Sequence, residues 1–143
     1  RWRVTLIELV VTIGVIVLIC SMCIPKFNSY NYEVNSFAKQ LCSDIRYVKS
    51  NNMLGNLNSF VLMTKENGRK GYILVDKGIQ VKDVYLPNNV DITYPNKKIY
   101  FRNDGTPNPT GSTIKIFNDK ISKEITIVPV SGRVLFKEDQ YEK

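Results

Sequence analysis

Few side chains in this sequence are placed where they could do chemistry. Histidine is absent, which removes Ser-His-Asp and Cys-His catalysis and histidine-ligated metals. The carboxylates are scattered, and no pair has the spacing of a catalytic acid and base or of a calcium loop. Asn103-Asp104-Gly105 resembles part of such a loop, but Pro107 and Pro109 follow and predict a turn. We therefore predict no catalytic residue, no metal site, no cofactor and no enzyme activity.

The cysteines offer one motif and little support for it. Cys20-x-x-Cys23 has the spacing of a redox or zinc motif, but it lies in a long apolar run without a second pair. Cys42 makes the number odd, and no cysteine follows it. The three thiols are interpreted as small apolar helix residues, and the sequence predicts no disulfide-stabilised domain.

One carboxylate occupies an unusual place. Glu8 is the single charge between Val4 and Ile24, a run of 21 residues, and a helix of that length spans roughly 30 Å of hydrocarbon. A charged side chain inside such a helix costs about 2.5–3.5 kcal/mol on insertion and usually has a function. The sequence predicts a membrane helix in which Glu8 has a partner.

Other interpretations of this segment fit less well. A cleaved secretory signal would have a shorter apolar stretch and a small-residue cleavage site, which Cys23-Ile24-Pro25-Lys26 does not supply. A core helix would need a larger chain around it. A simple signal anchor is a further interpretation of the segment. Arg1 and Arg3 precede the run, so the positive-inside tendency keeps them in the cytoplasm and places residues 26–143 outside it.

The residues Thr5-Leu6-Ile7-Glu8-Leu9, followed by a long apolar run and Pro25, resemble the amino-terminal signature of type IV pilins and pseudopilins. The family pattern is Gly, a Phe-like residue, and TLIEL; here Arg3 and Val4 occupy the first two places. The resemblance implies that a prepilin peptidase cuts between Arg3 and Val4 and methylates the new amine. It also implies that Glu8 guides filament assembly and that Pro25 kinks the helix.

The chemistry of such a cut supplies the partner that Glu8 needs. A chain starting at Val4 would carry its free amine four positions before Glu8, on the same helix face. The amine and the carboxylate could then pair within one chain or between neighbouring subunits, which would allow lipid to tolerate both charges.

The stretch after Pro25 predicts an amphipathic helix that continues the membrane segment. Pro25 lacks an amide hydrogen and should bend the helix, and Gly55 should end it. Its apolar residues recur at steps of three or four: Phe27, Tyr30, Val34, Phe37, Leu41, Ile45 and Val48.

The remainder alternates short β-prone runs with turn residues. The predicted strands are Ser59–Thr64, Gly71–Asp76, Gln80–Leu86, Val90–Tyr94, Lys98–Arg102, Thr113–Phe117, Glu124–Val130 and Arg133–Lys137. Asn67-Gly68 predicts a hairpin with a loop longer than two residues. Because Pro129 cannot donate to a ladder, its strand should lie at an edge or break there.

These elements predict an α+β, pilin-like fold: a long amino-terminal helix, with a membrane half and an amphipathic half, packed on an antiparallel β head. The predicted divisions are 1–25 for the motif and transmembrane segment, 26–54 for the amphipathic helix, 55–138 for the head and 139–143 for a charged tail.

The head resembles the GspH and FimT branch of minor pseudopilins, which includes ComGD-like proteins. The segments that carry this resemblance are Leu41–Ser50, the strand pair Phe60–Met63 with Gly71–Val75, Phe101–Thr106 leading to Ser112–Ile116, and Ile125–Val130 with Gly132-Arg133-Val134. The resemblance implies a low-abundance subunit of a secretion, pilus or competence filament. Its partners would be other pilin or pseudopilin subunits, the prepilin peptidase, the membrane platform of the assembly machine and membrane lipid. Such a subunit spans the bacterial cell membrane once and joins a cell-surface filament after assembly.

Two alternatives stay open. The net charge is +7 and the sequence has no long basic run. A DNA-uptake pilin could nevertheless bind nucleic acid through phosphate contacts. The candidate cations are Lys65, Arg69, Lys70, Lys97, Lys98 and Arg102. A more distant alternative is a signal-anchored extracytoplasmic enzyme or sensor, which the missing histidine and the absence of a clustered site disfavour.

Overall fold

The computed structural model describes residues 5–22, 29–66 and 68–137. They form two helices, α1 (Leu6–Met22) and α2 (Ser29–Met53), followed by nine strands. The strands are β1 (Phe60–Glu66), β2 (Arg69–Asp76), β3 (Ile79–Tyr85), β4 (Asp91–Thr93), β5 (Lys98–Phe101), β6 (Pro107–Asn108), β7 (Ser112–Phe117), β8 (Ser122–Ile127) and β9 (Val134–Lys137).

The helix α2 is amphipathic, as its sequence pattern predicts. Of the predicted apolar stripe, all five members with described side chains are buried: Val34, Phe37, Leu41, Ile45 and Val48. Ala38 and Cys42 fill the gaps between them and are also buried. Each fully buried aliphatic or aromatic side chain contributes about 1.5–3 kcal/mol, so this stripe is the main attachment of the helix to the head.

The helix ends where the sequence predicts. Gly55 has a φ of 94°, a conformation that side chains disfavour. Its amide donates to Asn52 O at 3.0 Å, and the amide of Asn56 donates to Asn51 O at 3.0 Å. These two bonds form a Schellman motif, which satisfies carbonyls left open by the helix end.

The strands are antiparallel, as predicted for the head, and they form two sheets. The five-stranded sheet has the order β3-β2-β1-β5-β6, and the four-stranded sheet has the order β4-β7-β8-β9. Elements of both sheets contact α2, and each sheet turns an apolar face toward the common core. That core contains, besides the α2 stripe, Val61, Met63, Tyr72, Leu74, Ile92, Ile99, Phe101, Ile114, Ile116, Ile125, Ile127 and Val134.

All eight predicted strands exist, with ends shifted by a few residues. The strand before Pro129 was predicted to reach Val130, but β8 stops at Ile127, because proline cannot donate to the ladder. The first hairpin is tighter than predicted: Glu66 pairs with Arg69, so the loop has two residues. The two-residue strand β6, which pairs with β5, has no signal of its own in the sequence.

Several predictions fall on residues outside the described ranges. They are the cleavage position between Arg3 and Val4, the kink at Pro25 with the continuity of the helix around it, and the tail 139–143. Within the described ranges, no helix combines the length and the apolar character needed to cross a membrane.

Candidate functional site

The helix α1 has an apolar surface that is exposed on every side. All 17 of its residues are exposed, and most are large and apolar, from Leu6 at 82% exposed to Met22 at 83%. A helix that is apolar on every side normally lies inside a protein or in lipid. The working protein therefore needs something to cover α1.

Glu8 lies in the first turn of α1 and is exposed. Its amide donates to the carbonyl of Thr5 at 3.0 Å and approaches the Thr5 hydroxyl at 3.4 Å. Thr5-x-x-Glu8 thus has the spacing of a capping box, in which a threonine begins the helix and a glutamate follows three residues later. A carboxylate at this end also suits the helix dipole. The T-x-x-E spacing in the sequence signals this second role of Glu8, which the sequence predictions do not include.

The other polar side chains of α1 turn back onto their own helix. The hydroxyl of Thr12 donates to Glu8 O at 2.9 Å and to Leu9 O at 2.8 Å. The hydroxyl of Ser21 donates to Leu18 O at 2.7 Å. Since these hydroxyls already have acceptors within the helix, an apolar environment around α1 would not leave them unpaired.

In the head, a buried polar contact ties α2 to the five-stranded sheet. The Tyr72 hydroxyl on β2 donates to Asp44 Oδ2 on α2 at 2.5 Å. The ammonium of Lys82 on β3 lies 2.9 Å from the same oxygen. Burial, followed by the bond to Asp44, raises the pKa of Tyr72. Tyr72 therefore stays protonated as a donor, and the edge strand β3 is held to the helix by the Lys82 charge.

A second polar cluster joins the carboxyl-terminal end of α2 to the five-stranded sheet. Asp76 accepts hydrogen bonds from Ser59 at 2.6 Å, Asn51 at 2.9 Å and Tyr47 at 2.9 Å. The Ser59 bond is the largest of the causes that lower the pKa of the Asp76 carboxyl. The Asp76 carboxylate at the end of β2 thus binds both α2 and Ser59, the residue before β1.

Asn52 connects the helix end to the sheet from inside the core, and its side chain is fully buried. Its amide group donates to Asn56 O at 2.7 Å and to Ser59 O at 3.0 Å, and its oxygen accepts from the Phe101 amide at 2.9 Å. Asn52 is a functional residue that the sequence predictions do not include. The available signal was its position four residues after Val48, which continues the buried stripe.

The six cations proposed for DNA lie on the β1–β2 hairpin and on or beside β5. Lys65 pairs directly with Lys70 at the β1–β2 hairpin, where Arg69 also lies, and Lys70 forms an ion pair with Asp91. Of the others, Lys98 begins β5, and Lys97 and Arg102 flank that strand. The Lys98 ammonium lies 4.0 Å from the centre of the Phe60 ring. The Met63 amide of β1 donates to Lys97 O at 2.8 Å, so both groups lie on the five-stranded sheet.

The turn at Asn103-Asp104-Gly105 is confirmed. The Gly105 amide donates to Arg102 O at 2.9 Å. Asp104 accepts from the Thr106 hydroxyl at 2.6 Å and the Thr106 amide at 2.9 Å, bonds that lower the pKa of its carboxyl. A cleft of about 460 Å³ lies beside this turn, lined by Leu57, Tyr100, Phe101, Arg102, Asn103, Asp104 and Asn108.

The thiols show no paired chemistry in the described ranges. Cys20 is exposed and free, and Cys42 is buried and free; Cys23 lies outside the described residues. Burial raises the pKa of the Cys42 thiol, and Arg46 opposes this rise. No group of three or more potential metal ligands occurs among residues 5–22, 29–66 and 68–137.

An amino-terminal helix packed on antiparallel sheet is the architecture of pilin-like proteins, and the comparison with solved structures places this fold among them. The type IV minor pilin FimU of Pseudomonas aeruginosa superimposes with a TM-score of 0.59 at 16% identity, covering 77% of this chain and 92% of FimU. The minor pseudopilin EpsH from the type 2 secretion system of Vibrio cholerae gives a TM-score of 0.54 at 14% identity, covering 73% of this chain and 96% of EpsH. No family model and no curated protein matches the sequence. At these identities the likeness establishes the pilin-like fold.

Proposed function

We propose that this chain is a minor pilin-like or pseudopilin-like subunit of a filament of the secretion, pilus or competence type. The observation that carries the proposal is the joining of a pilin-like head to α1, an apolar helix exposed on every side with Glu8 in its first turn. A helix of this kind needs lipid around it before assembly and other helices around it afterwards. The architecture and the resemblance of the TLIEL segment support the same role.

In this proposal residues 4–24 insert into the bacterial cell membrane and the head lies outside the cytoplasm. The prepilin peptidase cuts between Arg3 and Val4, and the new amine of Val4 is methylated. Glu8 then pairs with an amine of its own chain or of a neighbouring subunit during assembly. The head resembles the GspH and FimT branch, and the divisions 1–25, 26–54, 55–138 and 139–143 remain the proposed organisation.

The experiment is an alkaline wash of membranes that carry the full-length protein, followed by detergent extraction and an intact mass. We expect the protein to stay in the washed membranes and to have the mass of a chain that starts at Val4 with one added methyl group. Release by the wash would contradict insertion. Retention with a mass that still includes Arg3 would contradict the cleavage and leave Glu8 without the proposed amine.

A second candidate function is DNA binding within a transformation machine. The direct cross-strand pairing of Lys65 with Lys70, beside Arg69, favours it, since phosphate contacts need clustered cations. The full-length protein in detergent should then bind DNA with an affinity that falls steeply with salt, and Lys65→Gln with Arg69→Gln should reduce both the affinity and this slope. Absence of binding at low salt would remove this candidate.

A further inference from the structure

In the five-stranded sheet, strands β1 and β2 carry apolar residues on both faces. Strand β1 begins Phe60-Val61-Leu62-Met63, and β2 contains Tyr72-Ile73-Leu74-Val75, without the polar alternation of a sheet that has one face in water. The inner residues of these runs are buried. The residues of the opposite, outer face, which are Phe60, Leu62, Ile73 and Val75, are only partly buried. Val81 on the neighbouring edge strand is 62% exposed.

The four-stranded sheet of the same chain provides an internal comparison. Its inner residues, such as Ile114 and Ile125, are buried, while its outer positions are mainly polar. There Thr113 pairs with Thr126 and Lys115 pairs with Glu124, the latter as an ion pair at 2.9 Å. The chain thus makes a polar outer face on one sheet and an apolar outer face on the other, which indicates that the second is covered in the working protein.

The register places one acid and one amine at opposite ends of an apolar row on this outer face. Asp83 pairs with Ile73, Ile73 with Leu62, and Leu62 with Lys98. With strands about 4.8 Å apart, Asp83 and Lys98 lie about 14 Å from each other. Both charged residues are exposed. The Lys98 ammonium is held over the rings of Phe60 and Tyr100, at 4.0 Å and 5.1 Å from their centres.

We propose that the outer face of the five-stranded sheet docks against the same face of a second copy of this chain, around a two-fold axis that runs along the strands. This axis brings Asp83 of each copy opposite Lys98 of the other and places Ile73 opposite Leu62. Two aligned sheets pack face to face about 10 Å apart in this way. A two-fold axis across the strands would instead set Asp83 against Asp83 and Lys98 against Lys98.

The complementary arrangement is also the one that a shared membrane permits, a step that rests on the proposed function. Strand β2 runs in the same sense as α2, because Tyr72 is bound by Asp44 and, further along both elements, Asp76 is bound by Asn51. An axis along the strands therefore keeps the α2 helices of both copies in the same sense. Two chains anchored at their amino ends in one bilayer require this, whereas the other axis would invert one copy.

The area of the outer face indicates whether the dimer can form without the membrane. Four strands about 4.8 Å apart and five residues of about 3.3 Å each give roughly 300 Å² per copy. Twice that area is below the approximately 1,200 Å² of stable protein complexes. Anchoring in one membrane raises the effective concentration, so the pair should form between membrane-held copies.

The experiment uses cross-linking in intact membranes with the full-length protein. Cys20→Ala and Cys23→Ala remove two thiols, Cys42 stays because it is buried, and Ile73→Cys adds a thiol at the centre of the outer face. Thr113→Cys is the matched control on the outer face of the other sheet. With a short bismaleimide reagent, we expect at least about tenfold more homodimer through the Ile73→Cys thiol than through the Thr113→Cys thiol.

A charge exchange tests the axis itself. In the Ile73→Cys protein, Asp83→Lys should lower the homodimer roughly tenfold, because it creates two like-charge contacts. Adding Lys98→Asp should restore it to within about twofold. Equal cross-linking at the two cysteine positions, or cross-linking at Ile73→Cys only to a different protein, would overturn the proposal. Each variant is first tested for retention in washed membranes, where a loss would count against the proposed function instead.

Discussion

The hydroxyl of Tyr72 on β2 lies 2.5 Å from Oδ2 of Asp44 on α2, inside a mainly apolar helix–sheet interface. Asp44 also receives the ammonium of Lys82, so two strands depend on one helix carboxylate. A buried carboxylate is tolerated only when its partners replace water. This group of three side chains therefore sets where the helix lies along the sheet.

Tyr72→Phe should destabilise the head by about 1–3 kcal/mol, because it leaves the buried Asp44 oxygen with one partner fewer. The measurement is urea unfolding of the full-length protein in detergent micelles. Tyr85→Phe is the matched control, since Tyr85 donates to the exposed Asp83 at 2.8 Å and its loss should have much less effect. Equal destabilisation by the two variants would contradict the role given to Asp44.

Asn52→Ala should cost more than Asn51→Ala. Asn52 is fully buried and satisfies two carbonyls and the Phe101 amide, so its loss leaves several buried groups without partners, at about 1–3 kcal/mol for each. Asn51 is partly exposed and gives one bond to Asp76. The unfolding midpoints of the two variants test this order, and a larger loss for Asn51→Ala would reverse it.

Acid should weaken the contact around Asp76. Its pKa is lowered in the folded protein, first by Ser59, so its contribution to the unfolding free energy is present above the unfolded value of about 3.9 and is lost as the pH falls through the lower folded value. Ser59→Ala should bring the folded pKa back toward the unfolded one. The loss of stability below about pH 4 should then be shallower than in the wild type. An unchanged pH profile in Ser59→Ala would contradict this assignment.

Local patterns in the sequence predicted most of the fold, and tertiary contacts account for the remainder. The three-and-four spacing from Val34 to Val48 predicted the buried face of α2, because a helix repeats every 3.6 residues. Turn residues predicted where the strands begin and end, and Gly55 predicted the end of α2. These signals act over a few residues.

The division into two sheets could not be predicted in the same way. It depends on pairing between β1 and β5, where Leu62 meets Lys98, and no local rule joins strands so far apart in sequence. Asn52 was missed for a related reason: an asparagine near a helix end usually marks a turn, and only the stripe beginning at Val34 shows that it faces the core. The apolar outer face became visible only when the register placed Phe60, Leu62, Ile73 and Val75 together.

The role of Glu8 is the central claim, and one variant tests it most directly. In Glu8→Leu the helix remains apolar and should still enter the membrane, but the amine of the neighbouring subunit or of Val4 loses its carboxylate. An unpaired charge in lipid costs about 2.5–3.5 kcal/mol, so recovery of the protein in filaments should fall more than tenfold. Glu66→Leu, at the exposed end of the β1–β2 hairpin, is the control for loss of a negative charge.

The measurement is the amount of this chain in filaments sheared from cells, compared with the amount in their washed membranes, for the wild type, Glu8→Leu and Glu66→Leu. We predict equal amounts of all three in the membranes, with Glu8→Leu nearly absent from the filaments and Glu66→Leu at the wild-type level. Wild-type incorporation of Glu8→Leu would contradict assembly through Glu8, and absence of the wild-type chain from every such filament would contradict a filament subunit.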